Sequence, residues 1–400
     1  MNSCQSQLLM ILSKSLFGCD AQVSVDDYNQ LLEESKNHAV VTLAYSAIDK
    51  SEISVESSKQ WSDCSAVYYA NTIRVIYNHI VLHKWMKESS VPYVILKGCS
   101  SASYYPKPYL RTMGDVDFLV PIQFLKKAES ILNREGMTLQ PGDQSSHLAY
   151  ARAGMEYELH FSLVGMPYND VGELLTNYFQ DIFESSSEIK IGNGYVNIPS
   201  PFHHGIILLL HTCQHLTGEG IGLRHLCDWA VFANSFSDID FCSLFEDRLK
   251  QVGLWRFAQV LTRTSIKYLG ADEKEWAQCD ESLADALIED ILESGNFGRR
   301  NSDVKSVERM LIHRANNSDL NRGIIHNLTK SVNELVYRRW PSSQKIKILL
   351  PVGWLYFGGR RILREIVGKR KKTSIKQVVD NSQQRQKLYQ QLKLYEIDSK

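Results

Sequence analysis

Several absences narrow the chemistry of this sequence before any motif is read. Its eight cysteines (Cys4, Cys19, Cys64, Cys99, Cys213, Cys227, Cys242 and Cys279) form no C-x-x-C pair and follow no zinc-ligand spacing. That excludes a structural zinc module and fits buried free thiols in a reducing compartment. Charge of one sign is not in excess, since Lys+Arg and Asp+Glu both total 45. No global field therefore draws in nucleic acid or an anionic membrane; long nucleic acid is disfavoured as a partner, and any such contact needs a local patch. Long hydrophobic runs are missing too. Residues 8–12 are apolar but too short for a signal core and follow no basic residue, so secretion is not expected and a cytoplasmic location is. The longest apolar stretch, residues 346–357, is interrupted by Lys347, Pro351 and Gly353 and falls short of the roughly 20 residues of a spanning helix. A peripheral contact at the inner face of a membrane stays open. Neither a fixed-period repeat nor a low-complexity tract is present.

What is present is a globular pattern. With 44% hydrophobic and 22% charged residues over 400 positions, the composition is that of a soluble protein too long for one core, so two or three modules are expected. Apolar residues recur at three and four positions across 31–48 and 66–86, which predicts helices. The register changes at 91–96, a short β-branched run after Ser-Ser-Val-Pro that suits a buried strand. A loop or short helix spans 98–114, and a second strand covers 116–120. Pro121 opens a helix that Gly136 ends. Residues 147–152 and 155–163 flank an Ala-Gly turn and read as a hairpin, as does 188–198 around Gly192-Asn193-Gly194. From Ser200-Pro201 the pattern turns helical, with helices near 202–215, 223–233, 241–251, 254–268 and 282–293. The expected fold class is α+β: a helical lead-in (1–90), a strand-bearing core (91–200), a C-terminal all-helical region (201–340) and a basic, partly apolar tail (341–400).

The informative segment is Lys97-Gly98-Cys99-Ser100 leaving the first strand, followed by Tyr104-Tyr105-Pro106, Arg111 and Gly114-Asp115-Val116-Asp117. Residues two apart on a strand share a face, so Asp115 and Asp117 project side by side where the strand begins. Two carboxylates at that spacing repel each other, and a divalent cation removes the conflict; Mg²⁺ takes one or two carboxylates with phosphate oxygens and water. Solvated loop acids are commoner than metal sites, but the Lys-Gly turn ahead of the pair lets the backbone approach phosphates. In the hairpin, Glu156, Glu158 and His160 alternate with Tyr157, Leu159 and Phe161. They form either a plain solvent face or one on which Glu158 meets the aspartates across the sheet. A third acid there can bridge a second metal and help deprotonate an attacking hydroxyl. Lys97 and Arg111 stand open between neutralising a triphosphate and structural roles, Lys97 capping the strand end and Arg111 pairing with an acid.

Together, Leu-Lys-Gly, the Tyr-Pro pair, the arginine, Gly-Asp-x-Asp-Phe-Leu-Val and the later Glu-Leu-His resemble the uncharacterised nucleotidyltransferase family often found among bacterial surface-polysaccharide genes, part of the DNA polymerase beta-like superfamily. The resemblance runs over more than half of the chain. It implies a small mixed β-sheet whose strand-borne Asp-x-Asp and one later carboxylate bind two magnesium ions. By position, Asp115 and Asp117 match the paired acids, Glu158 the third, and Gly98 the glycine of the phosphate turn. Where the superfamily has Ser or Gly directly after that glycine, this chain has Cys99, with Ser100 one position later. The implied activity moves a nucleotidyl group from a nucleoside triphosphate, ATP included, to an unidentified acceptor (a sugar phosphate, glycan, protein or RNA) with release of pyrophosphate. Mg²⁺ or Mn²⁺ is the implied cofactor and polysaccharide biosynthesis the implied setting. Asp115, Asp117 and Glu158 are the expected catalytic and metal residues; Lys97, Gly98, Ser100 and Arg111 are expected at the nucleotide. Two rivals are a non-catalytic nucleotide-binding or membrane-associated scaffold, and a glycosyltransferase that holds a sugar nucleotide through Asp-x-Asp. The Lys-Gly turn and Glu158 favour nucleotidyl transfer over the latter.

Further along, His211 and His215 lie four apart on one expected helix. Without H-E-x-x-H and further ligands they read as core or capping histidines rather than a zinc site; acceptor positioning is the alternative for them and for His160. Arg224 and Asp228 are spaced as an intrahelical pair. In the tail, Trp354, Tyr356 and Phe357 precede Arg360, Arg361, Arg364 and the run Lys369-Arg370-Lys371-Lys372. That arrangement suits either an interface helix on an anionic leaflet or packing onto the helical region.

Overall fold

Helix boundaries in the N-terminal part follow local capping signals. The computed structural model describes residues 1–20, 23–141, 146–163, 165–167, 170–296, 350–354, 356 and 385–397. Helix α1 (Ser3–Phe17) opens with reciprocal bonds between Asn2 and Gln5 and stops at Gly18 in the left-handed region, a capping box at one end and a glycine stop at the other. Leu8, Leu9, Ile11 and Leu12 of the apolar run are thus the buried face of a helix, with Met10 exposed. The single helix expected over 31–48 is two, α2 (Tyr28–Asn37) and α3 (Val41–Ala47), because Ala39 takes a positive φ of 57°. Helix α4 (Val55–Glu88) starts at Ser54, whose hydroxyl caps Ser57 N, and runs for 34 residues.

The strands come next. In chain order they are β1 (Val94–Ile95), then the single turn α5 (Cys99–Ala102), β2 (Val116–Leu119), α6 (Leu125–Arg134), β3 (Thr138–Leu139), β4 (His147–Arg152) and β5 (Met155–His160). They make one mixed sheet ordered β1-β2-β5-β4-β3, in which only β2 and β5 run parallel. The period of two sorts their side chains. Val116 and Phe118 of β2 and Tyr157 and Leu159 of β5 face a core shared with Val75, Leu82 and Met86 of α4 and Ala128, Ile131 and Leu132 of α6. Asp117, Glu158 and His160 are left on the opposite face. Truncating Phe118 to alanine would cost about 3–5 kcal/mol, so this core fixes the strands that carry the polar face.

After α7 (Asp170–Tyr178) and the hairpin β6 (Ser187–Ile191) and β7 (Gly194–Ile198), the chain is helical: α8 (Pro201–Thr217), α9 (Leu223–Asn234), α10 (Asp238–Phe241), a π-helical turn, α11 (Asp247–Gln251), α12 (Trp255–Leu269) and α13 (Glu281–Ser294). Trp229 Nε1 donates to Thr262 Oγ1 at 2.9 Å, tying α9 to α12, and Phe241 stacks on Trp276 at 4.0 Å. The fold is α+β with a small mixed sheet, as the sequence implies. Met1–Leu216, Gly220–Phe297 and Leu392–Lys400 form one compact unit; a second comprises Thr217–Glu219 and Gly298–Gln391. Of the basic tail, Arg360, Arg361, Arg364 and residues 369–372 lie outside the described residues. No described helix is long and apolar enough to cross a membrane, and all eight cysteines are thiols.

Candidate active site

Parallel pairing of β2 with β5 sets Asp117 opposite Glu158 and Leu119 opposite His160. Asp117 is 3% exposed, whereas the Glu158 side chain keeps 25% of its surface. Between them His160 Nε2 stands 3.2 Å from Asp117 Oδ1 and 3.2 Å from Glu158 Oε2. Carboxylates accept, so this nitrogen carries the hydrogen. One ligand atom from each of Asp117, Glu158 and His160 falls within 4.8 Å of the others. Lys97, at the end of β1, places Nζ 3.0 Å from Asp117 Oδ1. Asp115 sits one residue before β2 rather than within it, and interacts electrostatically with Asp117, Lys97 and Glu158.

The two aspartates are driven apart in acidity. The charge of Asp117 is the largest influence on Asp115 and, with burial, pushes its carboxyl up to about 6 against the pull of Lys97. Burial works to raise Asp117 as well, but Lys97 and His160 overcome it and hold that carboxyl well below the usual range. Lys97 answers in kind: burial disfavours its charge, and Asp117, Asp115 and Glu158 together raise its pKa. His160 is raised too, its bonds to Asp117 and Glu158 outweighing desolvation. Such opposed shifts among adjacent groups are common at functional sites. The donor set fits a divalent cation: carboxylate oxygens suit Mg²⁺ and Mn²⁺, and an imidazole extends the choice toward Mn²⁺. The Lys97 ammonium and the His160 N–H now meet the oxygens that such an ion would take.

The turn after β1 depends on one glycine. Gly98 has φ 57° and ψ −112°, and a Cβ there would meet His79 Nε2 at 2.7 Å. Backbone, not side chain, is thus what the turn presents. Ser100, expected near the phosphates, is 1% exposed and donates its hydroxyl to the Ile95 carbonyl, which commits it to holding the turn on β1. Burial pushes the neighbouring Cys99 thiol up to about 12, so it is inert.

Arg111 pairs with an acid. Its Nε and Nη2 donate to Asp228 Oδ1 and Oδ2, both at 2.7 Å, and Tyr105 donates to the same Oδ1 at 2.6 Å. Of the two roles open to Arg111, the pairing with an acid is the one formed. The acid is Asp228, so the expected Arg224–Asp228 pair gives way to one 117 residues apart, and Arg224 instead donates to the Thr112 carbonyl at 3.4 Å. A planar guanidinium gripping a carboxylate through two bonds is the stronger arrangement.

A second wall comes from α8 and α9. His211 Nε2 is 3.4 Å from Lys97 Nζ and 3.0 Å from His215 Nε2, and the His225 ring stacks on His211 at 5.4 Å. Sequence spacing finds the 211/215 pair and the shared face of Glu158 and His160. It gives no sign of His225, or of the approach of His211 to a lysine 114 residues away.

Comparison with known families matches residues 24–270 to one described as uncharacterised nucleotidyltransferase. No curated protein matches the chain. The matched segment contains the whole mixed sheet, the Gly98 turn and every acid described above. Since it spans more than half of the 400 residues, the chain belongs to the uncharacterised nucleotidyltransferase family and is a nucleotidyl-transferring enzyme.

Proposed function

We propose that the enzyme transfers a nucleotidyl group from a nucleoside triphosphate to an acceptor hydroxyl or phosphate and releases pyrophosphate, with Mg²⁺ or Mn²⁺ held by Asp115, Asp117 and Glu158. The observation that carries this reading is the convergence of Asp117, Glu158 and His160 within 4.8 Å, with Asp115 coupled to them. A cation bound there supplies neutralisation of charge on the phosphoryl oxygens. The remaining work falls to the chain. Glu158, the most exposed of the three clustered groups, is placed to accept the proton of the attacking group. His160 holds Asp117 and Glu158 at a fixed separation, Lys97 brings an ammonium beside them, and Gly98 lets the backbone come close to phosphate oxygens. Positioning and fixed charge provide most of the acceleration in such transfers. A cytoplasmic setting in surface-polysaccharide biosynthesis, with a sugar phosphate or glycan as acceptor, agrees with the family resemblance.

Pyrophosphate release should be measured with each nucleoside triphosphate and Mg²⁺ or Mn²⁺. Release is expected with at least one of them, and Asp115→Asn and Asp117→Asn should each lower it by about 10²–10³-fold. Full turnover in both variants rules this site out.

A further inference from the structure

Away from Asp117, Lys97 reaches a group of basic side chains that cation binding at the acids leaves unused. Lys97 Nζ lies 3.0 Å from Asp117 Oδ1 and 3.4 Å from His211 Nε2, which is itself 3.0 Å from His215 Nε2. An ammonium only donates, so its contact requires a lone pair on His211 Nε2. His211 is thereby assigned the Nδ1–H tautomer, and His215 Nε2–H becomes the donor in the second contact. Two donors therefore converge on one nitrogen lone pair, a position that an anionic oxygen would fill equally well. His211 and His215 are half-buried while His225 is buried.

The sign of the field selects the ligand. Burial first, and then Lys97, His215 and His225, hold His211 well below its ordinary pKa, and Arg224 acts likewise on His225. Burial penalises any charge there, and the Lys97 ammonium makes a positive one costlier than a negative one. Among the described residues no third His, Cys, Asp or Glu ligand atom closes with His211 and His215 into a zinc site.

We propose that the Lys97 ammonium and the His215 N–H form a subsite for phosphate oxygens, with His211 holding the oxygen's place in its absence, a proposal that rests on the nucleotidyl-transfer reading for the ligand's source. That source is either the departing pyrophosphate of the triphosphate or a phosphate carried by the acceptor. In both cases an oxygen takes over the Lys97 and His215 donors that His211 now accepts.

Calorimetric titration of the full chain with inorganic pyrophosphate, and separately with inorganic phosphate, tests this. Saturable binding of at least one anion is expected, weakened about tenfold by His215→Ala, which removes a donor, and not weakened by His211→Ala, which removes only the competing acceptor. A loss confined to pyrophosphate assigns the subsite to the leaving group, and one confined to phosphate assigns it to the acceptor. Absence of binding to the wild-type protein, or unchanged affinity in His215→Ala, overturns the proposal. Should a variant fold poorly, ¹⁵N-histidine spectra of the wild type decide: the His211 and His215 ring signals must move on adding either anion, and unmoved signals overturn it. Pyrophosphate release by Asp117→Asn, run in parallel, separates the two failures. Lost turnover in Asp117→Asn with unchanged anion binding in His215→Ala removes the subsite alone. Full turnover in both aspartate variants removes the transfer site, whatever the titrations give.

Discussion

Asp115 and Asp117 are the same residue type two positions apart and differ in environment alone, so they should contribute to stability with opposite sign. Asp115 titrates at about 6 in the fold, above its unfolded value, so the folded state binds the proton more tightly. In metal-free protein its contribution is most favourable at acidic pH and is lost as pH rises through about 6. Asp117 is depressed by Lys97 and His160; its contribution is present above the unfolded carboxylate pKa and is lost as pH falls toward its folded value. Urea unfolding in EDTA at pH 7 should therefore find Asp115→Asn stabilising by on the order of 1–2 kcal/mol and Asp117→Asn destabilising by about 3 kcal/mol, since it strands Lys97. Shifts of equal sign would contradict the charge assignment. Gly98 makes a second case. Gly98→Ala should cost about 1–3 kcal/mol for its backbone angles alone, plus the clash with His79. Adding His79→Ala should recover the clash but not the backbone part, as melting temperatures of the single and double variants would reveal. The i,i+2 acids and the Lys-Gly turn were legible in the sequence. Their protonation was not, because it depends on Lys97 and His160, which are distant along the chain.

At the scale of elements, the Arg111–Asp228 pair joins the loop before β2 to α9. Asp228→Ala leaves a buried guanidinium without its acid and should cost about 3–5 kcal/mol, whereas Arg111→Met combined with Asp228→Leu should cost about 1–3 kcal/mol, for the buried Tyr105 hydroxyl that loses its acceptor. If the double variant folds stably yet loses pyrophosphate release, Arg111 serves the triphosphate after all. The β4–β5 hairpin was readable because alternation over residues 155–160 is strict, whereas β3, two residues long, carries no period and was not expected. The break between α2 and α3 was not, since a helical period continues across Ala39 and only the positive φ there interrupts it. Helix α1 lies within the helical lead-in expected over 1–90, and Asn2, Gln5 and Gly18 mark its two ends.

For the whole molecule, a ligand that binds only the folded state adds stability by mass action, about 2.7 kcal/mol at a hundredfold excess over its dissociation constant. Mn²⁺ should raise the melting temperature, EDTA should reverse the rise, and the effect should shrink at pH 5, where protons compete for Asp115 at about 6. Glu158→Gln should reduce it at both pH values; a full shift in that variant would remove Glu158 from the site. The sequence alone determined the α+β class, the Lys-Gly turn, the acid pair and the family, because these reside in short-range periodicity and contiguous motifs. Tertiary structure decided which partners those groups meet: His160 between two acids, Arg111 on Asp228, Ser100 turned inward and Lys97 facing His211. Such contacts join residues up to 117 positions apart, and only the packing of sheet against helices sets distances across that span.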